Sequence, residues 1–142
     1  MDLDNKINLG EIILMDFVEV IFEHVSELEQ DFSLKEHILI ELIGQRNSAT
    51  MSELASFFST PATTMTSIVN RLIERGYLKR YRSEEDRRVV LISLSAKGEE
   101  YYQNHRQEYV GIFKESLVGV SEEELKITAK LLSKVKKAVF NK

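Results

Sequence analysis

One stretch of the sequence, Thr50 to Gly98, carries a boundary signal at every change of local structure and leaves few folds open. Thr50 with Glu53 three residues on is a capping box, in which each side chain satisfies a backbone N–H of the other residue. It predicts a short helix with Leu54, Ala55 and Phe58 on its buried face. Thr60 followed by Pro61 opens a second helix, because the fixed φ of proline suits the first helical position, where no intrahelical bond is lost. Gly76 closes that helix as a left-handed cap. Within it Met65, Ile68, Val69 and Leu72 share one face at helical spacing, which leaves Thr63, Thr66, Ser67 and Asn70 on the solvent side. Residues 78–81 and 89–94 are strand candidates, the second rich in β-branched side chains, and the polar run 83–88 joins them. Two short helices at a tight turn, followed by a charged hairpin, make a helix-turn-helix with a β-wing.

The flanks are helical. From about Asn8 to Asp31 the residues Leu14, Phe17, Val18, Ile21, Val25 and Leu28 recur at helical spacing, and Ile12, Ile13, Val20 and Phe22 widen the apolar surface beyond one stripe. A helix that is apolar on more than one side needs more than one partner. Ser33 with Glu36 forms a second capping box, and Leu34, Ile38 and Leu42 mark a helix that Gly44 ends. After the wing, Ser95 caps a helix from Ala96 to about Leu117, Gly119 breaks it, and Ser121 with Glu124 opens the last helix. The expected fold is therefore mainly α with a small β-wing: six helices in a single domain over residues 1–142, with 34–94 as the winged part.

Composition decides which functions remain. The chain has 142 residues, 43% of them hydrophobic and 30% charged, the balance of a soluble domain. No run of eighteen apolar residues and no basic start after Met1 suggests a membrane span or a signal peptide, so a cytoplasmic location is the default expectation. Zero cysteines exclude thiolate metal sites, disulfides and thiol redox switching. No glycine-rich phosphate loop occurs and no serine stands in a nucleophile motif, so enzyme chemistry has no carrier. The net charge of −4 divides unevenly: residues 1–49 carry three basic and eleven acidic side chains, whereas residues 71–88 carry seven basic and four acidic. A basic wing on an acidic body approaches a polyanion in one orientation.

The chain resembles the MarR family of bacterial transcriptional regulators. The residues that carry the resemblance are S-E-L-A at 52–55, R-L-I-E-R-G-Y-L-K-R at 71–80, the wing D-R-R-V-V at 86–90 and L-S-A-K-G at 94–98, where Ser95 replaces the family's usual threonine. The resemblance implies a homodimer, built by residues of about 1–32 and 95–142, that represses transcription by binding double-stranded DNA at a pseudo-palindromic operator and requires no cofactor. It places Thr63, Thr64, Thr66 and Ser67 at base edges or phosphates, Arg71 at a phosphate, and Asp86, Arg87 and Arg88 at the wing. There Arg88 would enter the minor groove, oriented by Asp86.

Three further expectations concern ligands and partners. S-L-K-E-H at 33–37, with R-S-E-E-D-R-R-V-V at 82–90, is similar to the members that repress fatty-acid-synthesis genes, whose effector is an acyl chain on its carrier protein. That similarity implies an apolar effector pocket lined by Phe17, Ile21, Phe22, Ile38 and Tyr101. Zinc-sensing members resemble K-E-H-I-L at 35–39, which makes Glu36, His37 and His105 metal candidates, although a further histidine of those members is Tyr109 here. A zinc site normally has three or four donors, so zinc is the weaker alternative. The remaining alternative is a winged-helix module that binds protein rather than DNA.

Overall fold

A computed structural model describes residues 1–27 and 32–140, with side chains up to His24 in the first helix and up to Val139 in the last. In chain order the elements are α1 (Leu3–Glu27), α2 (Leu34–Arg46), β1 (Ala49–Thr50), α3 (Met51–Phe57), α4 (Ala62–Glu74), β2 (Leu78–Arg82), β3 (Val90–Leu94), α5 (Ala96–Ser116) and α6 (Glu122–Phe140). This is the six-helix winged helix-turn-helix that the sequence predicts. The expected extension of the first helix through Leu28 to Asp31 lies outside the described residues. The chain divides into two compact units, Met1–Tyr102 and Gln103–Lys142.

In the first unit α2, α3 and α4 pack with a three-stranded antiparallel sheet of order β1-β3-β2. Leu39, Ile40 and Ile43 of α2, Leu54 of α3, Met65, Val69 and Leu72 of α4, and Ile92 of β3 are fully buried. Each such side chain contributes roughly 1.5–3 kcal/mol by leaving water. The wing register pairs Leu78 with Leu94 and Arg82 with Val90. The strand β1 is not legible in the sequence: Ala49 pairs with Ile92, and Thr50, expected only as a helix cap, pairs with Leu91.

Local signals hold with two corrections. Thr50–Glu53, Ser33–Glu36 and Ser121–Glu124 all form their caps, with Glu53 N donating to Thr50 Oγ1 at 3.2 Å and Thr50 N to Glu53 Oε2 at 2.7 Å. Gly76, at φ 85°, sends its N–H to Ile73 O while Tyr77 N reaches Leu72 O, the paired bonds that end a helix on a left-handed residue. Gly44, however, does not end α2. The helix continues to Arg46 and stops at Asn47, whose φ is 69°. Gly44 serves packing instead, because a Cβ there would lie 2.6 Å from the ring of Tyr102. Pro61 sits one residue before its expected place, at the N-cap of α4 with extended ψ, and Thr60 turns its hydroxyl back to Phe58 O rather than onto the helix.

The terminal helices differ from the core. On α1 the residues Ile13, Leu14, Phe17, Val18, Ile21 and Phe22 are all exposed. In the second unit Ile112, Phe113, Ile127, Leu132 and Val139 are exposed as well.

Candidate nucleic-acid interface

Two features of the first unit face solvent with polar or cationic chemistry: the outer side of α4 and the hairpin β2–β3. The apolar stripe of α4 fixes the helix's rotation, so Thr63, Thr64 and Ser67 are exposed and Thr66 half-buried. The hydroxyls of Thr66 and Ser67 are already engaged as donors: Thr66 Oγ1 donates to Ala62 O at 2.8 Å and Ser67 Oγ to Thr63 O at 3.1 Å. A hydroxyl that spends its proton on the helix presents lone pairs outward. No side chain caps the start of α4, so its first N–H groups stay open to an anion.

Arg71 does not hang free in solvent. Its Nε donates to Glu36 Oε1 at 2.7 Å, although the Arg71 side chain remains 56% exposed. Burial raises the pKa of Glu36, but bonds from the Ser33 backbone and hydroxyl and from Arg71 more than offset it, so the carboxyl titrates below the ordinary glutamate range.

At the wing, Asp86 grips Arg88 by three bonds: Oδ1 accepts from the Arg88 backbone N at 3.0 Å and from Nε at 3.1 Å, and Oδ2 accepts from Nη2 at 3.1 Å. The side-chain bond from Arg88 chiefly, then its backbone bond, holds Asp86 below the usual carboxylate range. The Arg88 side chain is 91% exposed. The carboxylate thus fixes the direction of the Arg88 guanidinium within the loop. Arg87 is exposed beside it, and its carbonyl accepts from Arg82 Nη1 at 2.9 Å, which braces the loop from β2.

Two contacts beside these residues are not expected from the sequence. Arg80 Nη2 donates to Asn70 Oδ1 at 2.9 Å and so ties the wing strand to α4. Lys35 Nζ reaches Thr60 Oγ1 at 3.3 Å, just before α4 begins. Helical periodicity placed Asn70 outward, but nothing in the sequence pairs residues of different elements.

The residues expected to line an effector pocket or hold a metal lie on α1, α2 and α5 rather than on α4 or the wing hairpin. Phe17, Ile21 and Phe22 are exposed on α1, Ile38 is half-buried, and Tyr101 is buried against Phe32 and Tyr77. A cleft of about 430 Å³ opens elsewhere, among Ile43, Asn47, Lys79, Tyr81, Ser93 and Glu99. Glu36 and His37 serve separate partners, Glu36 bonding Arg71 while His37 Nδ1 shares a hydrogen bond with Tyr101 Oη at 3.1 Å. His105 is half-buried on α5 in the second unit. Among the described residues no group of three His, Cys, Asp or Glu is gathered as a metal site, and no helix is long and apolar enough to cross a membrane.

Comparison with known proteins bears on the family and the fold. A family model described as the MarR family matches residues 32–90. The uncharacterized HTH-type transcriptional regulator YpoP of Bacillus subtilis is 24% identical over 89% of this chain and 91% of its own length. The HTH-type transcriptional regulator Hpr of Bacillus licheniformis is 35% identical over 51% of this chain, which spans only 35% of that longer protein. Among solved structures, Streptococcus pneumoniae FabT in complex with DNA superposes with a TM-score of 0.72 at 29% identity, covering 96% of this chain and 97% of that one. A mutant MarR of E. coli complexed with operator DNA gives 0.62 at 25% identity over 95% and 99%.

Proposed function

We propose, for a chain that belongs to the MarR family of DNA-binding transcriptional regulators, that it is a homodimeric, ligand-responsive repressor acting in the cytoplasm on a pseudo-palindromic operator. The observation that carries this reading is the pairing of an outward polar face on α4 with an exposed, Asp86-clamped Arg88 at the wing. The α4 face suits a major groove, where Thr63, Thr64, Thr66 and Ser67 meet base edges or phosphates. The wing arginine suits a narrow minor groove, which concentrates negative potential.

Residues 34–94 are the DNA-binding part, and residues 1–32 and 95–142 build the dimer. The support is the run of exposed apolar side chains on α1, α5 and α6, surface of a kind that a monomer rarely leaves open to water. Two-fold symmetry then sets half-sites about one helical turn, roughly 10 bp, apart. The resemblance of S-L-K-E-H at 33–37 and R-S-E-E-D-R-R-V-V at 82–90 to the repressors of fatty-acid-synthesis genes supports an acyl chain as the effector class, with Phe17, Ile21, Phe22, Ile38 and Tyr101 as its apolar contacts.

The test is binding to duplex DNA from upstream of the protein's own gene, by gel shift at two salt concentrations. A DNA regulator loses affinity with log salt at about −0.9 per neutralised phosphate. Absence of binding at low salt to that duplex and to a randomised pool would leave the protein–protein module as the function.

A further inference from the structure

The carboxylate of Glu36 does more than cap a helix. Its Oε2 accepts from Ser33 N at 2.8 Å, the bond that a capping box requires, and a glutamine would make it equally well. Its Oε1 turns the other way, to Arg71 Nε of α4, and Arg75 Nη1 stands at 3.9 Å. Glu36 is only 3% exposed, and a buried carboxylate persists where cations and donors compensate it. The charge is thus surplus to the cap and is used by α4.

Only one of the two arginines is directed at solvent. Arg75 lies over the rings of Phe32 and Tyr77, with its guanidinium carbon 4.3 and 5.6 Å from their centroids, so it belongs to the packing. Arg71 gives its Nε to Glu36 while more than half of its side chain faces out. The residue before Glu36 matters too. Lys35 reaches Thr60 just before α4 begins, so consecutive residues of α2 hold the start and the last turns of the same helix.

We infer that Glu36 is a positioning residue for DNA recognition: it holds Arg71 by Nε, so that the outer Nη edge of the guanidinium meets a backbone phosphate in a fixed direction and sets the depth of α4 in the groove. This rests on the DNA-binding function proposed above. A free arginine must lose rotamer freedom when it binds, and a guanidinium already fixed by one partner loses less.

The inference has a sign that electrostatics alone would reverse. Glu36 places a negative charge beside a residue that meets a polyanion, so neutralising it should strengthen DNA binding unless its positioning role outweighs the repulsion.

The experiment uses the full chain and a duplex enriched by the wild-type protein from a random-sequence pool, compared with a scrambled duplex. Fluorescence anisotropy at two salt concentrations is measured for wild type, Glu36→Gln, Arg71→Ala and the double variant. We expect Glu36→Gln to bind the enriched duplex roughly tenfold more weakly, to bind the scrambled duplex no more weakly, and to add no loss in the Arg71→Ala background. Arg71→Ala should also lower the salt slope by about 0.9, the share of one phosphate. Binding of Glu36→Gln equal to or tighter than wild type, or an equal loss in both backgrounds, overturns the inference. Should Glu36→Gln unfold, Arg71→Lys decides, since lysine keeps the charge but lacks the Nε fork. We expect it to lose affinity for the enriched duplex with an unchanged salt slope, and wild-type affinity would overturn the inference. Failure of the wild-type protein to enrich any duplex overturns the DNA-binding reading itself.

Discussion

Gly98→Ala is the substitution whose consequence the structure fixes most tightly. A Cβ at residue 98 would stand 2.0 Å from Tyr77 O and 3.0 Å from Tyr77 C. A carbon and an oxygen in contact sit roughly 3.3–3.6 Å apart, so the first turn of α5 must retreat by over about 1 Å. Neither neighbour is a flexible side-chain end. Tyr77 O also accepts from Ser95 N at 3.0 Å, and the Ser95 hydroxyl bridges Gly76 O to Gly98 N, so the retreat breaks the joint between wing and helix. Overpacking costs about 1–3 kcal/mol and a lost, partly buried hydrogen bond about 1–3 more, against a helix-propensity gain of about 0.5–1. The net is about 1–5 kcal/mol, centred near about 3. At this chain length that lowers the melting midpoint by roughly 10 °C. Circular dichroism melts at one fixed protein concentration measure it, with Gly111→Ala as control because its Cβ meets nothing within 4 Å. A Gly98→Ala midpoint at or above wild type would refute the reading of Gly98 as a close-approach glycine.

Three further outcomes follow from the same geometry. Arg88→Ala should weaken operator binding by roughly 5- to 150-fold and abolish any preference for flanking A·T pairs, with the melting midpoint unchanged; Asp86→Ala should move binding the same way by less, since it frees the arginine without removing it. Stability should fall on acidification through Glu36. Its folded pKa lies below the ordinary value, so its contribution is complete above the ordinary glutamate range and is lost as pH drops through the lowered one. Urea midpoints against pH should therefore be flatter in Glu36→Gln, and identical slopes would count against the buried pair. Finally, the protein should sediment as a dimer at micromolar concentration, and deletion of residues 1–20 should abolish both dimerisation and tight DNA binding; a monomeric full-length chain would remove the reason given for the exposed apolar faces of α1 and α6.

Much of the fold was legible because its signals are local. A capping box needs two residues three apart, a helix stripe needs one period, and a left-handed cap needs one glycine; Thr50–Glu53, the α4 stripe and Gly76 all follow. The misses are non-local. Ala49 and Thr50 form a strand only because Leu91 and Ile92 lie beside them, more than forty positions along the chain. Gly44 looked like a helix end because glycine is common there, but its lack of a Cβ admits Tyr102, and Asn47 supplies the positive φ that ends α2. The identity of the packing neighbour decides what a glycine is for, and no window of sequence contains it.

The candidate site divides along the same line, and the division bears on what α4 can recognise. Helical period was enough to turn Thr63, Ser67 and Asn70 outward, but not to show which way each hydroxyl hydrogen points. Thr66 and Ser67 donate to carbonyls one turn back, so on the outer face they act as acceptors. The Arg80–Asn70 bond similarly occupies the Asn70 carbonyl oxygen, leaving the amide's N–H groups as the outward chemistry at the far end of the same face. In the major groove the exocyclic donors are adenine N6 and cytosine N4, while the acceptors cluster on guanine, on adenine N7 and on thymine O4. A face that runs from acceptors near the start of α4 to donors near Asn70 therefore has a polarity along the helix. A half-site read by it should show N6 or N4 donors under Thr66 and Ser67, and acceptors under Asn70. Under the proposed function, that asymmetry, not the mere presence of small polar residues, would give α4 a direction on an operator.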